Sequence, residues 1–395
     1  MTSTPVRDHT NTNDAGRHAA HATSEPPAQP AARTAGRLRL PRPRGPVSSA
    51  LIATLVAGPP ADDAHAQLEP LRAAAADALL DAERTDPADE LAVLHDGDLQ
   101  LALTVMYELH HRGVGGVDDA WEWEPALLAV RQSLERPFEA AVRARAGRPV
   151  CDETDAAGVA KRLFELAEAD DGPSLSRYLA RRATAEQALE FLALRSIYQL
   201  MEADPHTWAI PRLYGAPKAA LVEIQSDEYG GGRPGYLHSE LFAATMRRAG
   251  LDDTYGAYLD VVPTPVLVSV NTMSLFALHR RLRGAIVGHL AAYEITSSIP
   301  SRLYSTGFRR LGHDTDTTRY FDEHVEADAV HEQIAARDLA GRLVEQDPAI
   351  RDDVLLGAAA CLAIEGDVGA YALGHWEEGT SALLAPLENM PSTGA

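Results

Sequence analysis

Lysine is nearly absent from this sequence: Lys161 and Lys218 are the only ones, and arginine supplies the other cations. Against 57 acidic residues stand 36 basic ones, leaving a net charge of −21. A chain this acidic offers no evident surface for neutralising phosphates, which excludes a general nucleic-acid binder. Cysteine is equally scarce. Cys151 and Cys361 cannot build a disulfide framework, so a reduced, cytoplasmic setting is the default reading. No apolar stretch approaches the ~20 residues that span a bilayer, and no membrane partner is expected. Period-2 alternation is rare too. Leu259 to Val270 is the single run rich in β-branched residues, and neither strand–helix alternation nor a fixed-period repeat appears.

Residues 1–48 lack apolar periodicity and are rich in Thr, Ala, Pro, His and Arg, so they read as a disordered tail. Arg37 to Arg44, the apolar run Ala50 to Gly58 and Ala64-His65-Ala66 imitate a secretory signal. The run starts too far from the N-terminus and is broken by Pro59-Pro60, which argues against one.

What remains is helical. With 45% apolar content the chain can bury a sizeable core. Residues 49–150 form an N-terminal helical region, with Asp98 to His111 and the helix opened by Trp121-Glu122-Trp123-Glu124-Pro125 as its clearest segments. Gly147-Arg148-Pro149 marks a boundary, and 151–388 read as the main helical domain before a short tail, 389–395. Within it a helix runs from Thr184 to Met201 with Glu202 in its last turn. Another spans Thr264 to Tyr293, with Gly284 and Gly288 as candidate breaks, and a separate one covers Pro300 to Leu311. The fold class is all-α.

The chemistry concentrates in YFDEHVEADAVHEQI, Tyr320 to Ile334. Offsets of four and seven bring His324, Asp328 and His331 to one helix face, within roughly 60° of each other. Two imidazoles and a carboxylate suit a non-haem transition metal; a solvated or hydrogen-bonded amphipathic face is the competing reading. Glu108 and His111 have the E-x-x-H spacing of ferritin-like di-iron bundles, but a second such motif is missing, so capping or packing is the better role. Gly230 to Gly235 satisfies G-x-G-x-x-G, yet no strand precedes it, so no cofactor-binding loop is assigned. Its glycines rather break a helix so that Glu228 before and His238 after can aim inward. Glu202 and Glu294 interrupt apolar helices, where a carboxylate is costly unless paired or metal-bound. Cys361 and Glu365, one turn apart, could act as nucleophile and base; a buried structural cysteine is the simpler account.

Taken together, these residues resemble the haem-oxygenase-like di-iron oxidases and oxygenases, a family of iron-containing redox enzymes. The resemblance lies in order and spacing: Glu202, then Glu228 with His238 ten positions on, then Glu294 thirty before His324, then H-x-x-x-D-x-x-H through Asp328 to His331. It covers roughly residues 180 to 385, and the segments around YELHHRG and DDAWEWEPALL are similar to the family's N-terminal region. It implies a haem-oxygenase-like bundle with an N-terminal helical extension and a metal site of Glu202, Glu228, His238, Glu294, His324, Asp328 and His331. Glu228 would bridge two Fe(II)/Fe(III) ions and Glu294 would be a labile ligand. No catalytic residue beyond these ligands is assigned. The implied activity is O₂-dependent oxidation of a small organic substrate: amine N-oxygenation, desaturation or oxidative C–C cleavage. An external electron donor, such as a reductase, would be the partner, and a homodimer is compatible with it. Two alternatives stay open: a metal-free thiaminase-like protein using Cys361 and Glu365, and a non-catalytic iron-binding or regulatory bundle.

Overall fold

The structure, a computed structural model, describes residues 36–85, 90–170, 172 and 174–387, apart from the side chains of 81–85 and 326–329. The described chain is all-α, as expected: its sole β feature is an isolated bridge between Leu38 and Val114. The helices that matter below are α1 (Pro46–Val56), α2 (Glu69–Thr85), α3 (Gly97–Glu108), α4 (Pro125–Ala146), α5 (Ala156–Glu168), α6 (Leu175–Arg181) and α7 (Ala185–Gln199). They continue with α8 (Gly215–Glu228), α9 (His238–Arg248), α10 (Thr264–Leu278), α11 (Arg283–Arg310), α12 (Thr315–Gln333) and α13 (Arg351–Glu377).

Their starts follow capping chemistry. Thr184 and Gln187 form a capping box at α7, and the Asp314 side chain accepts from the Thr317 amide at α12. At α1 the cap comes from elsewhere. Asp98, in the first turn of α3, accepts from the Val47 and Ser48 amides at 2.7 and 2.8 Å, placing an anion on the positive end of α1.

Several expectations need correction. Residues 36–48 are not a disordered tail. Leu38 is buried; its amide donates to the Gly113 carbonyl and its carbonyl accepts from Gly115. Arg37 pairs with Asp119, and Arg44 donates to the Leu259 and Val262 carbonyls at 2.9 and 2.7 Å. Composition misses this because the strap holds by arginine-to-carbonyl bonds, which have no periodicity. The rest of that tail, 1–35, and the C-terminal 389–395 lie outside the described residues. Leu259 to Val270 is not a strand: turns lead into α10 after Pro263. The helix expected to start at Thr264 breaks at 279–282, not at the glycines, and α11 then runs on through Pro300. Gly288 serves packing instead. A Cβ there would meet the Val354 carbonyl oxygen of α13 at 1.8 Å, and one on Gly357 would meet that of Ala285 at 1.9 Å. The two longest helices thus cross backbone to backbone.

That crossing sets the core. Helix α11 packs on both α12 and α13, and α10 ties α13 to α3 of the N-terminal region. From Gly36 on, the described chain forms one compact unit. Among the described residues one helical stretch, Pro348–Glu377, is long and apolar enough to cross a membrane by length and composition, but 56% of its most apolar window is buried within the bundle. Immediately after α12 the helix widens into a π-helical segment, Ile334–Gly341. Such segments alter the register of a helix and often adjoin functional sites.

Candidate metal centre

Six of the seven expected site residues come together from five separate places. Glu202 sits in the turn after α7, which ends at Gln199 rather than Met201. Glu228 is the last residue of α8 and His238 the first of α9. Between them Gly230, Gly231 and Gly232 all have positive φ, and a Cβ on Gly230 would strike the Tyr236 backbone at 2.5 Å. Only glycine suits this reversal, which turns Glu228 and His238 toward one another. Glu294 is mid-α11, and His324 and His331 lie on α12. Asp328 is on α12 as well; its side chain lies outside the described residues.

Glu202, Glu228, His238 and His324 offer donor atoms that all lie within 4.8 Å of one another; so do Glu228, Glu294 and His331. Glu228 belongs to both groups. All six residues are buried. A cavity of about 40 Å³ lies among Glu202, Glu228, Glu294 and His324.

The imidazoles are oriented. His324 Nδ1 lies 2.8 Å from the Tyr320 carbonyl, which can only accept, so Nδ1 carries the hydrogen and Nε2 faces Glu202 Oε1 at 3.5 Å. His331 Nε2 is 3.0 Å from Asp227 Oδ2, leaving Nδ1 toward Glu294 at 3.6 Å. His238 Nδ1 lies 2.9 Å from Glu228 Oε2. The Nδ1 atoms of His238 and His331 are buried yet make no well-formed hydrogen bond. Two buried ring nitrogens that face carboxylates at 2.9 and 3.6 Å without a well-aligned hydrogen bond suit a cation shared between the groups. The donors fit iron, with hard carboxylates and imidazoles mixed.

Electrostatics point the same way. Burial pushes the Glu228 carboxyl up, but His238, with His324 and His331 behind it, outweighs burial and holds it well below the usual carboxylate range. Burial lowers the His331 pKa, yet Glu294 and Asp227 overcome it and raise the group to about 9. Tyr320 donates to both Glu202 oxygens at 2.8 Å; burial first, then Glu202, pushes its own pKa far up, so it stays a donor. His206 also lines the small cavity and lies 3.2 Å from His289, and burial keeps both neutral.

Glu202 and His324 also line a larger pocket of about 390 Å³. Its walls include Phe191, Tyr304 and Phe321, with Arg195, Gln199 and Glu365 on one side. Glu365 accepts from Ser269 and Tyr293 and is paired with Arg195 at 2.5 Å. Burial and the nearby Glu365 charge push the Cys361 thiol far above its ordinary range. A protonated thiol beside a fully engaged carboxylate is a poor nucleophile and base, which disfavours the thiaminase-like alternative.

Glu108 and His111 stand apart from the cluster. Glu108 accepts from Tyr255 at 2.9 Å and from the Arg112 amide at 3.2 Å; burial raises it to about 8. His111 lies 3.2 Å from Ser274, and burial lowers it to about 3. Both are packed structural groups. Sequence reading missed Asp227, Tyr320 and His206. Asp227 and Tyr320 had a signal: one adjoins Glu228, and the other precedes His324 by one helical turn.

Residues 189–366 match the family described as iron-containing redox enzymes. Over 148 residues, 37% of this chain, the sequence is 29% identical to a nitrosourea synthase of Streptomyces achromogenes subsp. streptozoticus. The similarity spans 31% of that protein's length. The stretch that is similar to iron-containing redox enzymes, residues 189–366, holds all six of the clustered donor residues.

Proposed function

We propose that this protein is a non-haem di-iron oxidase or oxygenase that uses O₂ to oxidise a small organic molecule held in the larger pocket. The observation that carries this reading is the sharing of Glu228 between two groups of donors, which suits a carboxylate bridging two ions. Glu202, His238 and His324 would hold one iron with Glu228; Glu294 and His331 would hold the other, and Asp328 belongs to the same ligand set. Bound iron would supply the reduction of O₂. The chain's own contribution is arrangement: Tyr320 fixes the Glu202 carboxylate, the Tyr320 carbonyl fixes the His324 tautomer, and Asp227 steadies His331.

Of the three oxidation outcomes, oxygenation at nitrogen is favoured by the similarity to a protein named for making a nitrosourea. In that reaction an oxygen atom of O₂ joins the substrate nitrogen and the other leaves as water, with electrons and protons from an external donor. The pocket reaching Glu202 and His324 argues against a bundle that only stores iron. Anaerobic Fe(II) titration followed by O₂ tests the reading. About two irons per chain and an O₂-dependent visible absorbance are expected. Failure to take up iron removes the proposal, and iron uptake without O₂ reactivity replaces it with a binding role.

A further inference from the structure

Arg195, Gln199 and Glu202 follow one another at intervals of four and three, so they share one side of α7 and the turn after it. All three line the larger pocket, which also takes in the buried His324 beside Glu202. Seven residues at the helical rise separate Arg195 from Glu202 by about 10 Å.

Arg195 is half-buried and held from two sides. One terminal nitrogen pairs with Glu365 at 2.5 Å. With its amide oxygen turned toward the guanidinium, Gln199 accepts from Nε at 3.2 Å and from the other terminal nitrogen at 3.0 Å. A guanidinium has five N–H donors, so after these contacts about two remain. Glu365 has less to offer: Oε1 already accepts from Ser269 and Tyr293 and Oε2 from Arg195, which leaves about one of its four acceptor positions. The uncommitted hydrogen-bonding capacity of the pair is therefore mostly donor, in a pocket that also has aromatic walls. That chemistry attracts a planar anion with an apolar body. A phosphate would bring close to two negative charges to a cation already partly balanced, so a carboxylate fits better.

We propose that Arg195 anchors a carboxylate of the substrate, making the substrate a small carboxylic acid whose other end reaches about 10 Å inward to Glu202 and His324. The inference rests on the oxidase reading for what happens at that end, but not for the binding itself.

Octanoate and octylamine, equal in chain and opposite in charge, serve as probes, with calorimetric binding to the full iron-loaded chain under anaerobic conditions. Wild type should bind octanoate and not octylamine. The paired change Arg195→Gln with Glu365→Gln, which leaves no orphaned charge, should weaken octanoate by about tenfold or more, the scale of one charge-assisted pair. Glu365→Gln alone should hold or tighten it, since the guanidinium is released. If the paired variant does not fold, Arg195→Lys keeps the charge without the fork and should still lose several-fold. Equal binding of octylamine, or octanoate binding indifferent to Arg195, overturns the proposal. So does binding that ignores Arg195 but disappears with chelation, which would place the carboxylate on the metal. Iron content measured in the same samples separates the two readings. Wild type without iron sinks the oxidase reading, whereas iron with no Arg195-dependent binding sinks this inference alone.

Discussion

Replacing Glu108 with Gln should make the protein more stable at neutral pH and above, although it alters a buried group. Glu108 is 3% exposed, and burial raises its carboxyl from 4.5 to about 8, against the Tyr255 and Arg112 contacts that lower it. Below pH 4.5 the folded and unfolded chains both hold the proton. As pH rises from 4.5 toward 8 the unfolded chain gives it up while the folded chain keeps it, so stability drains away across that window. The loss is about 3 kcal/mol by pH 7 and about 5 kcal/mol beyond pH 8, at about 1.4 kcal/mol per pH unit. Glutamine does not titrate and can replace the protonated acid: its NH₂ donates to the Tyr255 oxygen while its carbonyl accepts from the Arg112 amide. Tyr255 still reaches Met201 Sδ at 2.8 Å. Urea unfolding of wild type and Glu108→Gln at pH 5, 7 and 9 should give curves that nearly coincide at pH 5 and separate by several kcal/mol at pH 9. Iron content should be equal in both. Parallel stabilities across the range would show that Glu108 is ionised in the fold, and loss of iron would return it to the ligand set.

Other consequences can be checked with the same preparations. Glu228→Ala should abolish binding of both irons, whereas His331→Ala should leave about one, counted by metal analysis against His313→Ala as control; equal losses in the two site variants would contradict a shared Glu228. A chain beginning at Pro46 should melt several degrees below one beginning at Gly36. It loses the burial of Leu38, about 2 kcal/mol, together with the bonds from Arg44 to Leu259 and Val262; equal midpoints would mean the strap does not contribute. Ala203 has φ 73°, the left-handed region, in the turn that carries Glu202. Ala203→Gly should therefore raise the urea midpoint by the equivalent of about 1 kcal/mol without changing iron content, and a lower midpoint would show that the left-handed backbone at Ala203 carries no strain.

The sequence made part of this site legible because some of its geometry is local. His324 and His331 share a helix, and periodicity alone places them on one face. Glu228 and His238 flank a glycine run whose reversal any reader of turn chemistry expects, and the structure has it. Other members were less accessible. Glu202 lies beyond the end of α7, on a turn stabilised by Gln225 donating to the Ala203 carbonyl from α8, a contact 22 positions away in sequence. The strap at residues 36–48 failed for a related reason: several of its partners, Tyr255, Leu259 and Val262 among them, are more than two hundred residues distant. Helix breaks were misplaced because glycine has two uses. At Gly284 and Gly288 it allows helices to touch, and nothing in the local sequence separates that from a break.

A better rule for such chains sorts buried acids by what faces them. Glu108, Glu135, Glu202, Glu228 and Glu294 are the buried glutamates among the described residues. A carboxylate removed from water needs a proton, a cation or a full set of donors. Glu108 takes the first course and stays protonated. Glu135 takes the second, between Arg131 at 3.1 Å and His279 at 3.0 Å, with a permanently charged guanidinium making any metal superfluous. Glu202, Glu228 and Glu294 instead face His324, His238 and His331 across 3.5, 2.9 and 3.6 Å. An imidazole balances a carboxylate only while it is protonated, and the same nitrogen becomes a ligand once the proton leaves. Acids that face arginine are therefore closed to metal, while acids that face histidine can exchange protons for a cation without being buried unpaired at any stage. By this sorting His324 and His331 of α12, with His238 of α9, are one half of a matched set, and its carboxylate half is supplied by the turn after α7, the end of α8 and the middle of α11.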